Sequence, residues 1–185
     1  IVNYCLIQGD VEITAARLYQ YLTSSMQAQT PDAGDGSDLY VAFYPGAFYA
    51  LMQNRVAAND AANAYAYLLM QAGVECLPVR EALPEEDSAR EAAAQLRHQW
   101  LIVWINSAYY HADPELDVAN AASPDTERDT LGHFGMRDEK CRYDLQLQRP
   151  LEIVVPDCMR GDDSTLQNEA MAGDFAVPEC SAGLT

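Results

Sequence analysis

"QWLIVWINSAYYHADPEL" (Gln99–Leu116) holds both tryptophans of the chain, Trp100 and Trp104, in one apolar run that stops at polar groups. Read as helix, it would extend the two-faced segment that starts at Pro84 and give a single helix from Pro84 to Tyr110, apolar on every side in its second half. The composition changes at Gln99. "LIVWI" (Leu101–Ile105) has three β-branched residues and a Trp in five positions, a strand-favouring mixture. A helix followed by a short buried strand also fits ordinary element lengths. The segment therefore divides near His98–Trp100, and Trp100–Ile105 is expected to be a central strand that delivers Asn106 to Glu115 to its end.

Working outward, "VNYCLI" near the start reads as a strand, and "DVEITAARLYQYLTSSM" as a helix capped by Asp10, with Val11, Ala15, Leu18, Leu22 and Met26 at helical spacing. Thr30–Asp38, crowded with Pro, Gly and Asp, is a linker. Counted as a calcium loop from Asp32 it puts Gly34 and Phe43 at positions that need oxygen ligands, so that match fails. "LYVAFY" (Leu39–Tyr44) has the length and residue types of a buried strand. Ala47–Ala72 is helical in composition, with a break at Asn59-Asp60 and a stop at Gly73. "VECLPV" (Val74–Val79) is strand-like, and "LPEEDSAREAAAQLRHQ" is a helix with acidic residues in its first turn. A short helix is expected near Glu115–Ala121, an exposed strand at "YDLQLQ" (Tyr143–Gln148), a buried strand at "PLEIVVP" (Pro150–Pro156), and a weak helix near Ser164–Ala172.

Strands alternating with helices at this spacing predict an α/β fold: a three-layer, mostly parallel, flavodoxin-like sheet with helices on both faces. The domain plan is a strand and helix extension with linker over 1–37, the α/β domain over 38–158, and a loop-rich tail over 159–185. In such sheets ligands sit beyond the carboxyl ends of the strands, which makes Tyr44–Phe48, Arg80–Ala82, Asn106–His111 and Asp157–Met159 the candidate rim.

The chain has 28 acidic and 11 basic residues, a net charge of −17, and Lys140 as its only lysine. That balance disfavours direct nucleic-acid binding, which needs Lys and Arg against phosphates, and disfavours anionic membranes. It leaves open a basic protein partner, or a role as an acidic inhibitor or nucleic-acid mimic. No apolar run approaches the roughly 20 residues of a membrane span. Ile1–Ile7 lacks the basic start of a signal peptide, and a cytoplasmic location is expected. The five cysteines form no C-x-x-C pair. Cys5 and Cys76 are expected to be buried thiols, and Cys141 and Cys158 flank a strand pair that a disulfide could bridge. Dinucleotide, P-loop and nucleophile-elbow signatures are missing. The three histidines lack metal-ligand spacing. "HADPELD" offers His111, Asp113 and Asp117 to a hard cation, or reads as a solvated turn, and "RGD" (Arg160–Asp162) is a chance triplet. No cofactor or metal is expected.

Between Asp38 and Asp157 the order of motifs resembles TIR domains and the related nucleoside 2-deoxyribosyltransferases. "DLYVAFY" is similar to their opening strand. "YLLMQAGVECLPVREAL" resembles their helix, Gly, second strand and BB loop, "LIVWINSAYYHADPEL" their strand ending in Glu-Leu, and "RPLEIVVPDC" a later strand. The resemblance implies an enzyme that hydrolyses or transfers an N-glycosidic bond in NAD or a nucleoside, with NAD as substrate rather than cofactor. Glu115 would act on the oxocarbenium-like centre. Tyr44, Phe48 and Tyr110 would stack on a base or nicotinamide ring, and Asn106 and Ser107 would bond the ribose. Pro114-Glu115 also reads simply as a helix start. The alternative function is a non-catalytic interaction module of the same fold, with self-association or a protein partner.

Overall fold

Ile105 is followed not by a crossover but by an immediate reversal. In the computed structural model Asn106 and Ser107 both have positive φ, 49° and 69°. This is the two-residue turn whose twist suits an antiparallel hairpin. The structure describes residues 1–28, 47–56, 59–82, 98–121, 130–154 and 176–184. Within these, the elements in chain order are α1 (Val2–Cys5), α2 (Val11–Ser25), β1 (Gln27–Ala28), α3 (Ala47–Gln53), β2 (Arg55–Val56), α4 (Asp60–Gln71), β3 (Cys76–Glu81), β4 (Trp100–Ile105), β5 (Ala108–Ala112), α5 (Pro114–Ala121), β6 (Phe134–Met136), α6 (Asp138–Asp144) and β7 (Leu151–Ile153).

Strands β3 to β7 form one sheet in the order β6-β5-β4-β3-β7, with every neighbouring pair antiparallel. This corrects the mostly parallel, flavodoxin-like, TIR-like sheet expected from the alternation of elements. An apolar run such as Trp100–Ile105 reports burial on both faces and carries no information on strand direction. Direction is set by the Asn106-Ser107 turn and by "AYYHA", which is strand β5 rather than a rim loop. The parallel pairing present is the two-residue β1–β2 contact.

Strand β4 is covered on both sides. Leu101, Val103 and Ile105 pack into a core with Leu18, Tyr19 and Leu22 of α2, Tyr65 and Leu69 of α4, and Val118 of α5. Trp100 and Ile102 face a second cluster with Val79, Met136, Cys141 and Cys180, against which Leu145, Leu147, Leu151, Ile153 and Val177 lie. Burying each such side chain contributes about 1.5–3 kcal/mol. Helix α2, placed by sequence in an N-terminal extension, thus packs into the same core as the sheet.

Asp10 caps α2 by accepting from the Ile13 N–H at 2.9 Å, as its spacing predicts. Helix α4 ends at Gly73 (φ 73°), with Gly73 N–H bonded to Met70 O and Val74 N–H to Leu69 O, a closed C-terminal motif. Two expected strands are not strands. "VNYCLI" folds as the single turn α1, closed by Tyr4 and Cys5 N–H on Ile1 O. The first part of "YDLQLQ" belongs to α6, and Gln146 (φ 53°) turns the chain, while Leu145 and Leu147 still reach the second cluster. β7 is an edge strand of partly buried residues, tied to β3 by the Arg80–Glu152 ion pair at 2.5 Å. The expected strand Leu39–Tyr44, the helix following Pro84, the linker, the Arg160–Asp162 triplet and the Ser164–Ala172 helix lie outside the described residues. Beyond these, residues 176–184 run along the sheet: Asp138 N–H bonds Cys180 O, and Leu184 N–H bonds Gly135 O. A Cβ on Gly135 (φ 70°) would stand 2.7 Å from Leu184 Cβ, so this crossing requires glycine. No helix among the described residues is long and apolar enough to cross a membrane.

Candidate functional site

Among the described residues, a cluster of ionisable groups gathers where β4 begins and β5 ends. Antiparallel pairing sets Leu101 opposite Ala112, and this register brings His98, two residues before β4, to the Asp113–Glu115 segment that follows β5. His98 Nε2 lies 2.5 Å from Asp113 Oδ2. Asp113 is fully buried and works through both of its oxygens. Its Oδ1 accepts the Leu116 N–H at 3.3 Å and so caps α5, with Pro114 in the first turn. Glu115, also in that turn, brings Oε2 to 3.4 Å from His98 Nδ1, an ion-pair distance without a hydrogen bond. The indole of Trp100 stacks against the imidazole with 5.7 Å between centroids. Gln99 donates to Asn63 Oδ1 at 3.0 Å and holds the first turn of α4 beside this corner.

Burial opposes a charge on His98, but the Asp113 and Glu115 carboxylates outweigh it and push its pKa up to about 10. Asp113 is braced further. The Tyr19 hydroxyl sits 2.7 Å from both the Asp113 carbonyl and Asp117 Oδ2, and burial first, then the Asp117 charge, raises the phenol well above its usual range. Asp117 also accepts the His133 N–H at 3.0 Å and faces His133 Nδ1 at 2.5 Å, a bond that raises the pKa of His133.

A second cluster stands behind Trp100. Its Nε1–H donates to His111 Nδ1 at 3.0 Å, and His111 Nε2 faces Asp138 Oδ1 at 2.8 Å. The other Asp138 oxygen accepts the Cys180 N–H at 2.8 Å. Burial lowers the pKa of His111, so the ring is neutral at pH 7 with its proton on Nε2. His111, Asp138 and Cys180 place one ligand atom each within 4.8 Å of one another. A metal does not suit them. Coordination at Nε2 would move the ring proton to Nδ1, against the Trp100 N–H that now donates there.

The residues expected from sequence are distributed as follows. Glu115 stands in the His98 corner. Tyr110 points into the helix-side core opposite Val103, 8% exposed. Asn106 and Ser107 form the hairpin tip, where Asn106 Nδ2 donates to Glu12 Oε2 at 3.0 Å. At about 3.3 Å per residue, the six-residue strand β4 puts that tip roughly 17 Å or more from Glu115. Asn106, Ser107 and Tyr110 therefore do not share a site with Glu115. Phe48 lies on α3, and Tyr44 lies outside the described residues. His111, Asp113 and Asp117 of "HADPELD" turn to three different partners and do not converge. Cys5, Cys76, Cys141 and Cys180 are free thiols, Cys141 and Cys180 buried in the second cluster, and Cys158 lies outside the described residues. The participant missed from sequence is His98, read as the end of a helix; Asp113, offered to a cation in "HADPELD", is instead its partner. The signal available was the Asn106-Ser107 turn, from which His98 and Glu115 each lie eight positions, with Asp113 two positions nearer.

No protein-family model and no curated protein matches the sequence. The chain is similar to a proposed cysteine protease from Cytophaga hutchinsonii (TM-score 0.36, 8% identity, 55% of this chain and 30% of that one). It is also similar to a structure described as a TGase (TM-score 0.43, 9% identity, 68% of this chain and 31% of that one). The matched part spans about a third of the length of those chains. Likenesses this slight bear on neither the fold nor the chemistry.

Proposed function

We propose that this chain serves as a non-catalytic protein-interaction module. The observation that carries the reading is that both ring nitrogens of His98 face carboxylates. A general base must offer a free lone pair and titrate near the working pH. His98, held up to about 10, is a standing cation at pH 7. An activated nucleophile stands within about 3 Å of its base. Among the described residues, neither nitrogen of His98 meets a thiol or hydroxyl. Glu115 in turn is engaged with His98, so its carboxylate is committed to a charge pair rather than presented to a ribose. The net charge of −17 favours a partner with a basic surface, which it would attract over a Debye length.

One observation favours a second reading. Glu115 Oε2 makes no hydrogen bond to Nδ1, while the Nε2–Asp113 bond is short. If Glu115 withdraws, His98 and Asp113 form the base-and-orienter half of an acyl-transfer centre, with a nucleophile from elsewhere in the chain.

The test is turnover. Wild type, Glu115→Ala and His98→Gln are incubated with NAD, a nucleoside panel, and aryl ester and amide substrates. No product above buffer is expected in any arm. Base or nicotinamide release by wild type that Glu115→Ala abolishes would overturn the module reading in favour of N-glycosidic cleavage. Ester turnover abolished by His98→Gln would overturn it in favour of acyl transfer.

A further inference from the structure

The Glu115–His98 contact differs from the other carboxylate–histidine contacts. Asp113, Asp138 and Asp117 approach His98, His111 and His133 at 2.5, 2.8 and 2.5 Å. Glu115 stops at 3.4 Å, with a buried Oε2 that has no hydrogen-bond partner and a side chain 27% exposed. The other long contact, His133 Nε2 to Asp144 at 3.7 Å, is of another kind, because Asp144 is also held by Lys140 at 2.5 Å. Glu115 has no second partner among the described residues. Its Cα is fixed in the first turn of α5, which sets how far its carboxylate can follow Nδ1. The result is a cation with one face filled imperfectly: Trp100 flanks the ring, and Asp113 answers Nε2.

We propose that the Nδ1 face of His98 is a carboxylate-binding position that Glu115 fills from within the chain, and that a free carboxylate takes this position when Glu115 withdraws. The inference rests on the reading of His98 as a standing cation. An imidazolium N–H with a carboxylate makes a charge-assisted bond that prefers about 2.7–2.9 Å, a distance an untethered ligand can reach and Glu115 does not. A neutral amide of the same shape lacks the charge. The ligand class is a carboxylate, supplied by a small acid or by the C-terminus of a peptide.

Glu115→Ala in the full chain empties the position. It is titrated with acetate, acetamide, N-acetylglycine and N-acetylglycinamide, reading Tm and the His98 ring-nitrogen NMR shifts, with His98→Gln/Glu115→Ala as control. Saturating acetate is expected to raise the Tm of Glu115→Ala by about 2–4 °C. Wild type, acetamide and the double variant should show no response. A response to N-acetylglycine exceeding that to acetate identifies a peptide C-terminus as the source, and the reverse order a small acid. Equal effects of acetate and acetamide, a response of the double variant, or no response to either acid overturns the proposal. Should Glu115→Ala not fold, Glu115→Gln serves: its His98 resonance must titrate below that of wild type and shift back with acetate, and failure of either overturns the proposal. Turnover assayed on the same samples separates the two conclusions, since an acetate response accompanied by turnover overturns only the module reading.

Discussion

His98 and His111 lie on either side of one indole and have opposite electrostatic fates. Trp100 stacks on His98 and donates its N–H to His111. His98 is partly open to solvent and faces two carboxylates, so its cation is favoured despite burial. His111 is buried, receives a donor on Nδ1, and has one carboxylate opposite, so desolvation prevails and the neutral ring is favoured. The residue type is the same; the balance between desolvation and the number of facing carboxylates decides its charge.

The most disruptive change removes the shared plate. Trp100→Ala should cost about 3–5 kcal/mol in urea unfolding, through loss of a fully buried ring. It should also disturb the ring resonances of both histidines; a change in only one would show that the two clusters are not joined through Trp100. Next, His98→Gln leaves the buried Asp113 carboxylate without its cation and should cost about 1–3 kcal/mol at pH 7. His111→Gln, whose amide can still accept from Trp100 and donate to Asp138, should cost less.

The pH dependence sharpens the contrast. The folded pKa of His98, about 10, lies above its unfolded value, so its contribution is complete below about pH 6.5 and is lost as pH rises through about 10. The folded pKa of His111 lies below the unfolded value, so its contribution is present above about pH 6.5 and is lost as pH falls through the folded pKa. Each limb is limited to about 1.4 kcal/mol per pH unit for one proton. His98→Gln should flatten the alkaline limb of the stability curve and His111→Gln part of the acid limb. A variant that flattens the opposite limb would reverse the assignment. The smallest effect is a control at the far end of the hairpin. Ser107→Gly relieves a side chain held at φ 69° and should stabilise by about 0.5–1 kcal/mol without moving either histidine resonance.

Much of the local structure was legible. The Asp10 cap, the Gly73 stop, the short helix after Pro114 and the strand at Trp100–Ile105 follow from capping, turn chemistry and residue type; the strand expected at Val74–Val79 lies two residues later, at Cys76–Glu81, and the helix expected to break at Asn59-Asp60 already ends at Gln53. The candidate site was far less so. Glu115 was singled out, but Asn106 and Ser107, near it in sequence, stand at the other end of a hairpin. His98 and Asp113 touch although 15 positions separate them. Sequence proximity misled because a strand carries its two ends well apart, while the hairpin returns the Asp113–Glu115 segment, six to eight positions past its turn, to His98, eight positions before it.

By itself the sequence determined that Trp100–Ile105 is buried, where α2 and α5 begin and where α4 ends, and that the chain is strongly acidic, because these depend on side-chain type and short-range spacing. Only the tertiary structure decided that the sheet is antiparallel, that α2 belongs to the core, and that His98 is charged while His111 is neutral. Strand direction follows from a two-residue turn and its partners, and a histidine's charge follows from the groups that folding brings to its ring, which are set by contacts across the sheet rather than along the chain.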